Sequence, residues 1–315
     1  MLRSLIIGIT GCAGSHLAEF LLESGHNVFG TKRESDSLIN VNDILGKIKV
    51  FNIDLSDKKN IINILRESEP DHIYFLASAL GSESIKAITH TNVEGTLTFF
   101  DALAENPCRS RIVLTSSSAV YGIQKDKLKL SEDNKLFPST HYGLSKVFQE
   151  NIALYYNRNH GLDVVIARPF NFTGPRENPF LACTAFARQI VDIENNIKAP
   201  VISVGNLDDM RDFTDVRDTV KGLTLLAQKG RNGEIYNICS GTAYPIKFIL
   251  DKLLSMSNEM IKVETSAKRI RIGEINIQTG DNSKIFYETG WKPLIPLDKT
   301  LEDILVYNRK KVDIK

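Results

Sequence analysis

Apolar residues in the first half of the chain follow two alternating rhythms. Leu5-Ile6-Ile7-Gly8-Ile9 is a short apolar run, the signature of a buried strand. Over residues 15–24, Leu17, Phe20 and Leu21 recur at helical spacing, and Gly25 stands where a helix C′ glycine belongs. The alternation then repeats. Residues 27–31 and 49–53 read as the second and third strands. Ser56-Asp57 cap a helix running to about Glu67, with Ile61, Ile62 and Leu65 on one face, and Pro70-Asp71 ends it. Residues 72–77 read as a fourth strand, 92–105 as a helix and 111–115 as a fifth strand. A long helix over 140–156 carries Leu144, Val147, Phe148 and Ile152 on one stripe, and 164–167 reads as a sixth strand.

Strands separated by helices of this length imply right-handed crossovers, hence an α/β fold with a doubly wound parallel sheet. That domain is expected over residues 1–168. From Pro169 onward the rhythm changes. Pro169, Pro175, Pro179 and Pro200 fall close together and the strand signals shorten. A smaller α+β C-terminal lobe is expected over 169–213 and 241–315. Between these, a helix over 214–228 and a strand over 234–239 are expected to return to the main sheet, so that 214–240 belongs with the first domain.

Composition narrows the classes. The 315 residues are 42% hydrophobic and 24% charged, which excludes a disordered or collagenous chain. Lys plus Arg (39) and Asp plus Glu (38) leave a net charge of +1, so no global field points to nucleic acid or an acidic membrane. No stretch approaches the roughly 18 apolar residues of a membrane span. The first apolar run stops at Thr10-Gly11, too short for a signal peptide, and a cytoplasmic location is expected. Cys12, Cys108, Cys183 and Cys239 form no Cys-x-x-Cys pair, which suits a reducing compartment. His16, His26, His72, His90, His141 and His160 show no ligand spacing, and no metal is expected.

Two constellations carry chemistry. Gly8, Thr10, Gly11, Cys12, Ala13 and Gly14 lie between the first strand and the first helix. Glycines at positions one, four and seven let backbone approach a pyrophosphate at a helix N-terminus, so the segment reads as a dinucleotide loop. The second strand then runs into Lys32 and Arg33, where an NAD site usually has a carboxylate for the ribose 2′-hydroxyl. A guanidinium there can clamp a 2′-phosphate, which favours NADP(H) over NAD(H). Glu34, just beyond, is the competing acidic residue. Tyr142 and Lys146 lie at i and i+4 on the long helix and share a face. An ammonium beside a phenol is expected to lower its pKa and make it a proton donor and acceptor. Tyr121/Lys125 and Tyr307/Lys311 share that spacing. Only Tyr142/Lys146 opens a helix between two expected parallel strands, downstream of Thr115-Ser116-Ser117-Ser118.

These residues together resemble a known family. Gly8 to Gly14, TSSSAVYG over 115–122, YGLSK over 142–146 and RPFNFTGP over 168–175 are similar to the extended short-chain dehydrogenase/reductases that modify nucleotide sugars. The likeness runs along nearly the whole chain and implies a Rossmann-type sheet. FARQI over 186–190, VGNL over 204–207, Arg211-Asp212-Phe213, YNICSG over 236–241 and TGWKP over 289–293 look most like the branch that reduces GDP-linked 4-keto-6-deoxymannose to GDP-rhamnose. The resemblance implies Ser117, Tyr142 and Lys146 as the catalytic triad, with the last two also touching the cofactor. It implies Asp54 and Leu55 on the adenine side, and Leu76 and Ala77 along the cofactor cleft. It gives Asn171 to the sugar nucleotide, and Arg211, Arg271 and Glu274 to the diphosphate and nucleoside. It also implies a homodimer through the helices over 92–105 and 140–156.

The chain departs from the pattern in places. Ser78-Ala79-Leu80-Gly81 replaces a more polar run, Ile272 replaces a proline, and Arg176-Glu177 replace Gly-Gln. Dehydratases of the family carry an acid–base pair just after the serine. Here Ser118 and Ala119 follow, and neither titrates near pH 7. Two further readings stand beside the reductase: a C4 epimerase with retained NAD⁺, and an NADP(H)-binding sensor without turnover. Lys32-Arg33 weigh against the first and the Tyr142/Lys146 pair against the second. Tyr121 and Trp291 read as packing residues, and Arg269 with Arg271 could also be an exposed strand face.

Overall fold

The computed structural model describes residues 1–80, 83–106, 109–123, 129–266 and 277–312. Its main body alternates β1 (Arg3–Ile7), α1 (Cys12–Glu23), β2 (Asn27–Lys32), β3 (Ile48–Asn52), α2 (Lys58–Ser68), β4 (His72–Phe75), α3 (Ile85–Ile88), α4 (Gly95–Glu105), β5 (Arg111–Thr115), α5 (His141–His160) and β6 (Asp163–Pro169). A 3₁₀ segment, Ile39–Lys47, precedes β3, and a π turn, Thr89–Glu94, joins α3 to α4. The C-terminal part adds β7 (Asn171–Thr173), α6 (Ala182–Glu194), β8 (Val201–Val204), β9 (Met210–Asp215), α7 (Val216–Lys229), β10 (Ile235–Ile238), β11 (Ala243–Pro245), α8 (Ile246–Ser255), β12 (Lys262–Thr265), β13 (Ile277–Gln278), α9 (Ser283–Thr289) and α10 (Leu297–Val312).

Seven strands form one parallel sheet in the order β10-β6-β5-β4-β1-β2-β3. This is a Rossmann-type, doubly wound arrangement. The strands are rich in Val, Ile and Leu because helices cover both faces. Leu5, Ile7, Ile73, Phe75 and Leu114 point into one core with Phe99, Phe100 and Leu103 of α4. Ile6, Tyr74, Val113 and Val165 point into the other with Leu17 and Leu21 of α1 and Val220 and Leu223 of α7. The strand order reverses between β1 and β4, and a ligand crevice opens at the C-terminal ends of those strands.

The expected elements are present, with shifted ends. β1 stops at Ile7 because Gly8 turns with φ +94°, so Gly8 and Ile9 lie past the ladder. β4 stops at Phe75, which leaves Leu76 and Ala77 out of the ladder. The helix expected from residue 92 begins at Ile85 and passes through the π turn. The expected stripe of α5 is split: Val147 and Ile152 are half-buried against the cores, but Leu144 and Phe148 are not. Leu144 and Phe148 are exposed, whereas Ser145, Lys146, Gln149 and Glu150 are buried. The inner face is polar because a hydrogen-bonded network occupies it. Glu150 accepts from Arg168 Nε and Nη2, both at 2.8 Å, and from Ser116 Oγ at 2.5 Å. Arg168 Nη1 also donates to the Tyr121 hydroxyl at 3.0 Å, which donates to Asn237 Oδ1 at 2.7 Å. The two charged side chains are only 3% and 2% exposed.

The second lobe is built around β9. β11 (antiparallel) and β13 (parallel) flank its first half, and β7 (parallel) flanks its second. β8 and β12 form a separate parallel pair. Helices α6, α8 and α10 enclose a core of Phe186, Ile190, Ile249, Leu253, Leu301 and Ile304. Asp212 of β9 is buried and accepts from Ser240 N, Ser240 Oγ, Gly241 N and Gly280 N. Between the lobe segments, β10 pairs with β6, and Ile285 of α9 and Trp291 join the core beside α7.

Two stability predictions follow from buried charge. Arg168→Ala leaves the Glu150 carboxylate uncompensated and should cost about 3–5 kcal/mol in urea unfolding; a loss below 1 kcal/mol would sink the claim that the pair is structurally coupled. The His16 imidazole is buried and pushed down to about 4 from its ordinary 6.5, by burial first and by the nearby Arg176 charge second. The unfolded chain therefore binds a proton on this residue below pH 6.5 that the folded chain does not accept until about pH 4. This contribution is fully present above pH 6.5 and is lost as pH falls toward 4. The unfolding free energy of wild type relative to His16→Gln should fall by on the order of 2–3 kcal/mol across that window; a flat difference would refute it.

Candidate active site

The phosphate loop is shaped by two close approaches. Gly8 sits in the left-handed region, where a Cβ would stand 3.1 Å from the Ala77 backbone. A Cβ on Gly14 would stand 2.3 Å from the Gly8 carbonyl oxygen, so only glycine lets α1 start this close to β1. Gly11 is the N-cap of α1 with no side-chain cap, and no acidic residue stands in the first turn. Cys12, Ala13 and Gly14 form that turn. The helix end thus offers N–H groups and the positive end of its dipole to an anion. The Cys12 thiol reaches the Pro175 carbonyl at 3.5 Å, and burial pushes its pKa up.

Beside this loop lies a cleft of about 940 Å³. Gly8, Thr10, Gly11, Lys32, Arg33, Asp54, Leu55, Leu76 and Ala77 all line it. The ends of β4 and β3 supply Leu76-Ala77 and Asp54-Leu55. Asp54 accepts from Ser56 N and Oγ at 2.9 and 2.8 Å, which holds its carboxyl below the usual range. Arg33 is 58% exposed at the cleft mouth, and Asp36 orients it through Arg33 Nε at 3.1 Å. Lys32 Nζ instead turns to the carbonyls of Arg33 and Glu34. Glu34 lines the cleft too. The volume, the uncapped helix end and the glycine cradle fit a dinucleotide.

The proposed chemical groups converge past the end of β5. Thr140 caps α5 by accepting from Gly143 N at 3.0 Å, which sets Tyr142 in the first turn and Lys146 in the second. The hydroxyls of Ser117 and Ser78 stand beside the Tyr142 phenol and act to lower its pKa. Lys146 Nζ donates to the Thr115 carbonyl at 3.0 Å and lies 5.7 Å from the Tyr142 ring centroid. Here the electrostatics differ from the sequence expectation. Burial pushes the phenol above its ordinary value, and the hydroxyls of Ser117 and Ser78 only partly offset this. Burial also brings the Lys146 ammonium down to about 7, against the pull of Glu150. The lysine is held on the backbone at the end of β5.

Asn171 and Arg211 lie on the paired strands β7 and β9. Asn171 Nδ2 donates to the Asp212 carbonyl at 3.3 Å, and Arg211 contacts Asp209 and the Met210 carbonyl. Arg271 and Glu274, with Arg269 and Ile272, lie outside the described residues. Sequence reading missed Asn92. It is fully buried, accepts from Ala79 N at 2.7 Å and Ser78 Oγ at 3.1 Å, and donates to Ser145 Oγ at 2.9 Å. It thereby fixes Ser78, a neighbour of the phenol, to the helix that carries the phenol. No sequence signal marked it, because Asn92 sits in the polar run Thr89-His90-Thr91-Asn92 at the expected start of the helix. Asn40 and His90 also line the cleft without a motif to mark them. Among the described residues, no cluster of His, Cys, Asp or Glu could hold a metal ion, and no helix is long and apolar enough to cross a membrane.

Comparison with known proteins places this geometry. The sequence model described as GDP-mannose 4,6 dehydratase matches residues 5–304. The chain is 30% identical to GDP-6-deoxy-D-mannose reductase of Pseudomonas aeruginosa, over 68% of this chain and 71% of that one. It is 26% identical to GDP-mannose 4,6-dehydratase of Yersinia enterocolitica, over 97% of this chain and 93% of that one. The solved structure of RMD from Pseudomonas aeruginosa complexed with NADPH superposes with a TM-score of 0.84 at 24% identity, covering 98% and 99% of the two chains, and shares the fold. A match spanning 300 consecutive positions (residues 5–304), together with the dinucleotide cleft, shows that the chain belongs to the GDP-mannose 4,6-dehydratase family of NAD(P)-dependent, nucleotide-sugar-modifying enzymes.

Proposed function

We propose that the chain is an NADPH-dependent reductase. It acts on the C4 keto group of a nucleotide-linked 4-keto-6-deoxyhexose, with GDP-4-dehydro-6-deoxy-D-mannose as substrate and GDP-D-rhamnose as product. The observation that carries this is the Ser117–Tyr142–Lys146 cluster followed by Ser118 and Ala119, neither of which titrates near neutral pH. Ser118 Oγ is turned to Gln278 Oε1 at 3.3 Å, and Ala119 has no polar side chain. Proton removal from C5, which a dehydratase needs, has no base at these positions. The likeness to the reductase from Pseudomonas aeruginosa supports the same reading, whereas the dehydratase relatives make dehydration the second reading to test.

When bound, the reduced nicotinamide supplies the hydride. The chain's own residues handle the proton and the oxygen. A phenol raised by burial stays protonated at neutral pH, so Tyr142 is ready to donate to the C4 oxygen as charge develops there. Ser117 donates a hydrogen bond to the same oxygen, stabilisation aimed at the transition state. Lys146, fixed on the Thr115 carbonyl, would hold the nicotinamide ribose when the cofactor is bound. Gly8, Gly11 and the first turn of α1 receive the pyrophosphate. Asp54 and Leu55 flank the adenine, and Leu76 and Ala77 line the cofactor's path. Asn171 and Arg211, with Arg271 and Glu274, hold the sugar nucleotide, and that remote grip orients the keto group.

Arg33 with Lys32 at the end of β2 favours a 2′-phosphate, which supports NADP(H) over the retained NAD⁺ of an epimerase. The exposed stripe of Leu144, Phe148 and Tyr155 on α5, with Leu97 on α4, is the face a homodimer would cover.

The first measurement is loss of absorbance at 340 nm with GDP-, dTDP-, UDP- and CDP-linked 4-keto-6-deoxyhexoses and either NADPH or NADH. Fast oxidation of NADPH with the GDP sugar is expected. Conversion of GDP-mannose to the 4-keto-6-deoxy sugar would instead establish the dehydratase. Tyr142→Phe should lower kcat by about 10²–10⁴-fold with an unchanged melting temperature; retained turnover would remove Tyr142 as the donor. Arg33→Ala should raise the KM for NADPH roughly tenfold while leaving that for NADH in place. An equal effect on both cofactors would place the 2′-phosphate elsewhere.

A further inference from the structure

Arg176 occupies a backbone position that disfavours it. Its φ is +69°, in the left-handed region where a long side chain is strained and glycine is not. The far end of the side chain shows what holds it there. Nη1 and Nη2 donate to Oε1 and Oε2 of Glu19 on α1, at 2.9 and 2.5 Å. Nη1 also donates to the Asn40 carbonyl at 3.0 Å. The arginine side chain is 14% exposed, so this forked, charge-assisted contact is largely shielded from water. Asn40 passes the contact on, because its Nδ2 donates to the Thr10 carbonyl at 2.9 Å. Thr10 belongs to the phosphate loop, and both Thr10 and Asn40 line the cofactor cleft.

The wall that carries Asn40 is the segment Ile39–Lys47, a 3₁₀ helix with only Val41 and Ile44 buried. Such helices have poor hydrogen-bond geometry and depend on outside support. Arg176 supplies it from the loop that follows β7, on the far side of the molecule's sequence. The next residue anchors that loop in the other direction: Glu177 accepts from Thr184 Oγ1 in the first turn of α6 at 2.7 Å.

We propose that Arg176 is a positioning residue for the cofactor, holding the Asn40 wall and α1 together so that the cleft is preorganised for the dinucleotide. The inference rests on the cofactor reading above. A wall already in place need not be ordered at the moment of binding, so its loss appears as weaker affinity. It should leave the chemical step alone, since Arg176 touches neither the phenol nor Ser117.

The test compares NADPH binding and turnover by wild type, Arg176→Gly, Asn40→Ala and the double variant, all as the full chain. Glycine accepts the backbone angle at 176, so Arg176→Gly keeps the loop and should melt close to wild type. The expected result is NADPH binding about tenfold weaker, with KM for NADPH rising in step and kcat preserved. The double variant should bind no worse than the weaker single variant, because both substitutions break one chain of contacts. Equal affinity in wild type and Arg176→Gly overturns the proposal, and so do fully additive losses. Failure of wild type itself to bind NADPH or NADH overturns the cofactor reading instead.

Discussion

The contact on which the active face depends is the buried pair of Glu150 and Arg168. It joins the third turn of α5 to the strand β6 beneath it; Ser116 donates to the carboxylate, and the Tyr121 hydroxyl accepts from the guanidinium. A carboxylate and a guanidinium at 2% and 3% exposure are tolerated only because nearly every donor and acceptor is met. That satisfaction is geometrically demanding, and so it fixes the rotation and height of α5 on the sheet. Lys146 is one turn earlier on the same helix and Tyr142 two turns earlier. Their positions over the end of β5 are inherited from this pair.

The same burial sets the electrostatics of the chemical groups. The first half of α5 turns Leu144 and Phe148 outward and Ser145, Lys146, Gln149 and Glu150 inward, whereas its second half packs Ile152, Ala153 and Tyr156 on the sheet core. Inside, Lys146 has its charge weakened by desolvation and partly restored by Glu150. Tyr142 has its proton held more tightly, because the phenolate is the form that burial penalises. Both shifts have one cause, burial, and Lys146 is in addition bonded to the Thr115 carbonyl.

Local signals were the legible ones. The glycines at 8, 11 and 14, the Tyr142–Lys146 spacing and the alternation of strands and helices are each written in a short window, and the seven-strand sheet assembles from them. Leu76, Ala77, Asp54 and Leu55 were placed by resemblance and do line the cleft. What the sequence hid is what distant partners determine. Asn92 acts through Ala79 and Ser145, 13 and 53 residues away. Arg176 acts through Glu19, 157 residues away. The inward polar face of α5 was equally hidden, since hydrophobic periodicity identifies a stripe without saying which side meets the sheet. Strand ends shifted where a backbone turn, such as Gly8, outweighs apolar character.

The pairing of β10 with β6 has a bearing on how the chain is made. β6 ends at Pro169 and its outer partner begins at Ile235, so about 65 residues are synthesised between the two edges of one ladder. During that interval the emerging sheet ends in a buried-type strand, Val-Val-Ile-Ala, whose outer N–H and C=O groups are unpaired. The intervening chain forms β7, α6, β8 and β9 of the second lobe and α7 of the main body before it returns. A chain synthesised only to residue 170 has six of the seven strands, and the last strand of the sheet doubles as the cover of the β6 edge.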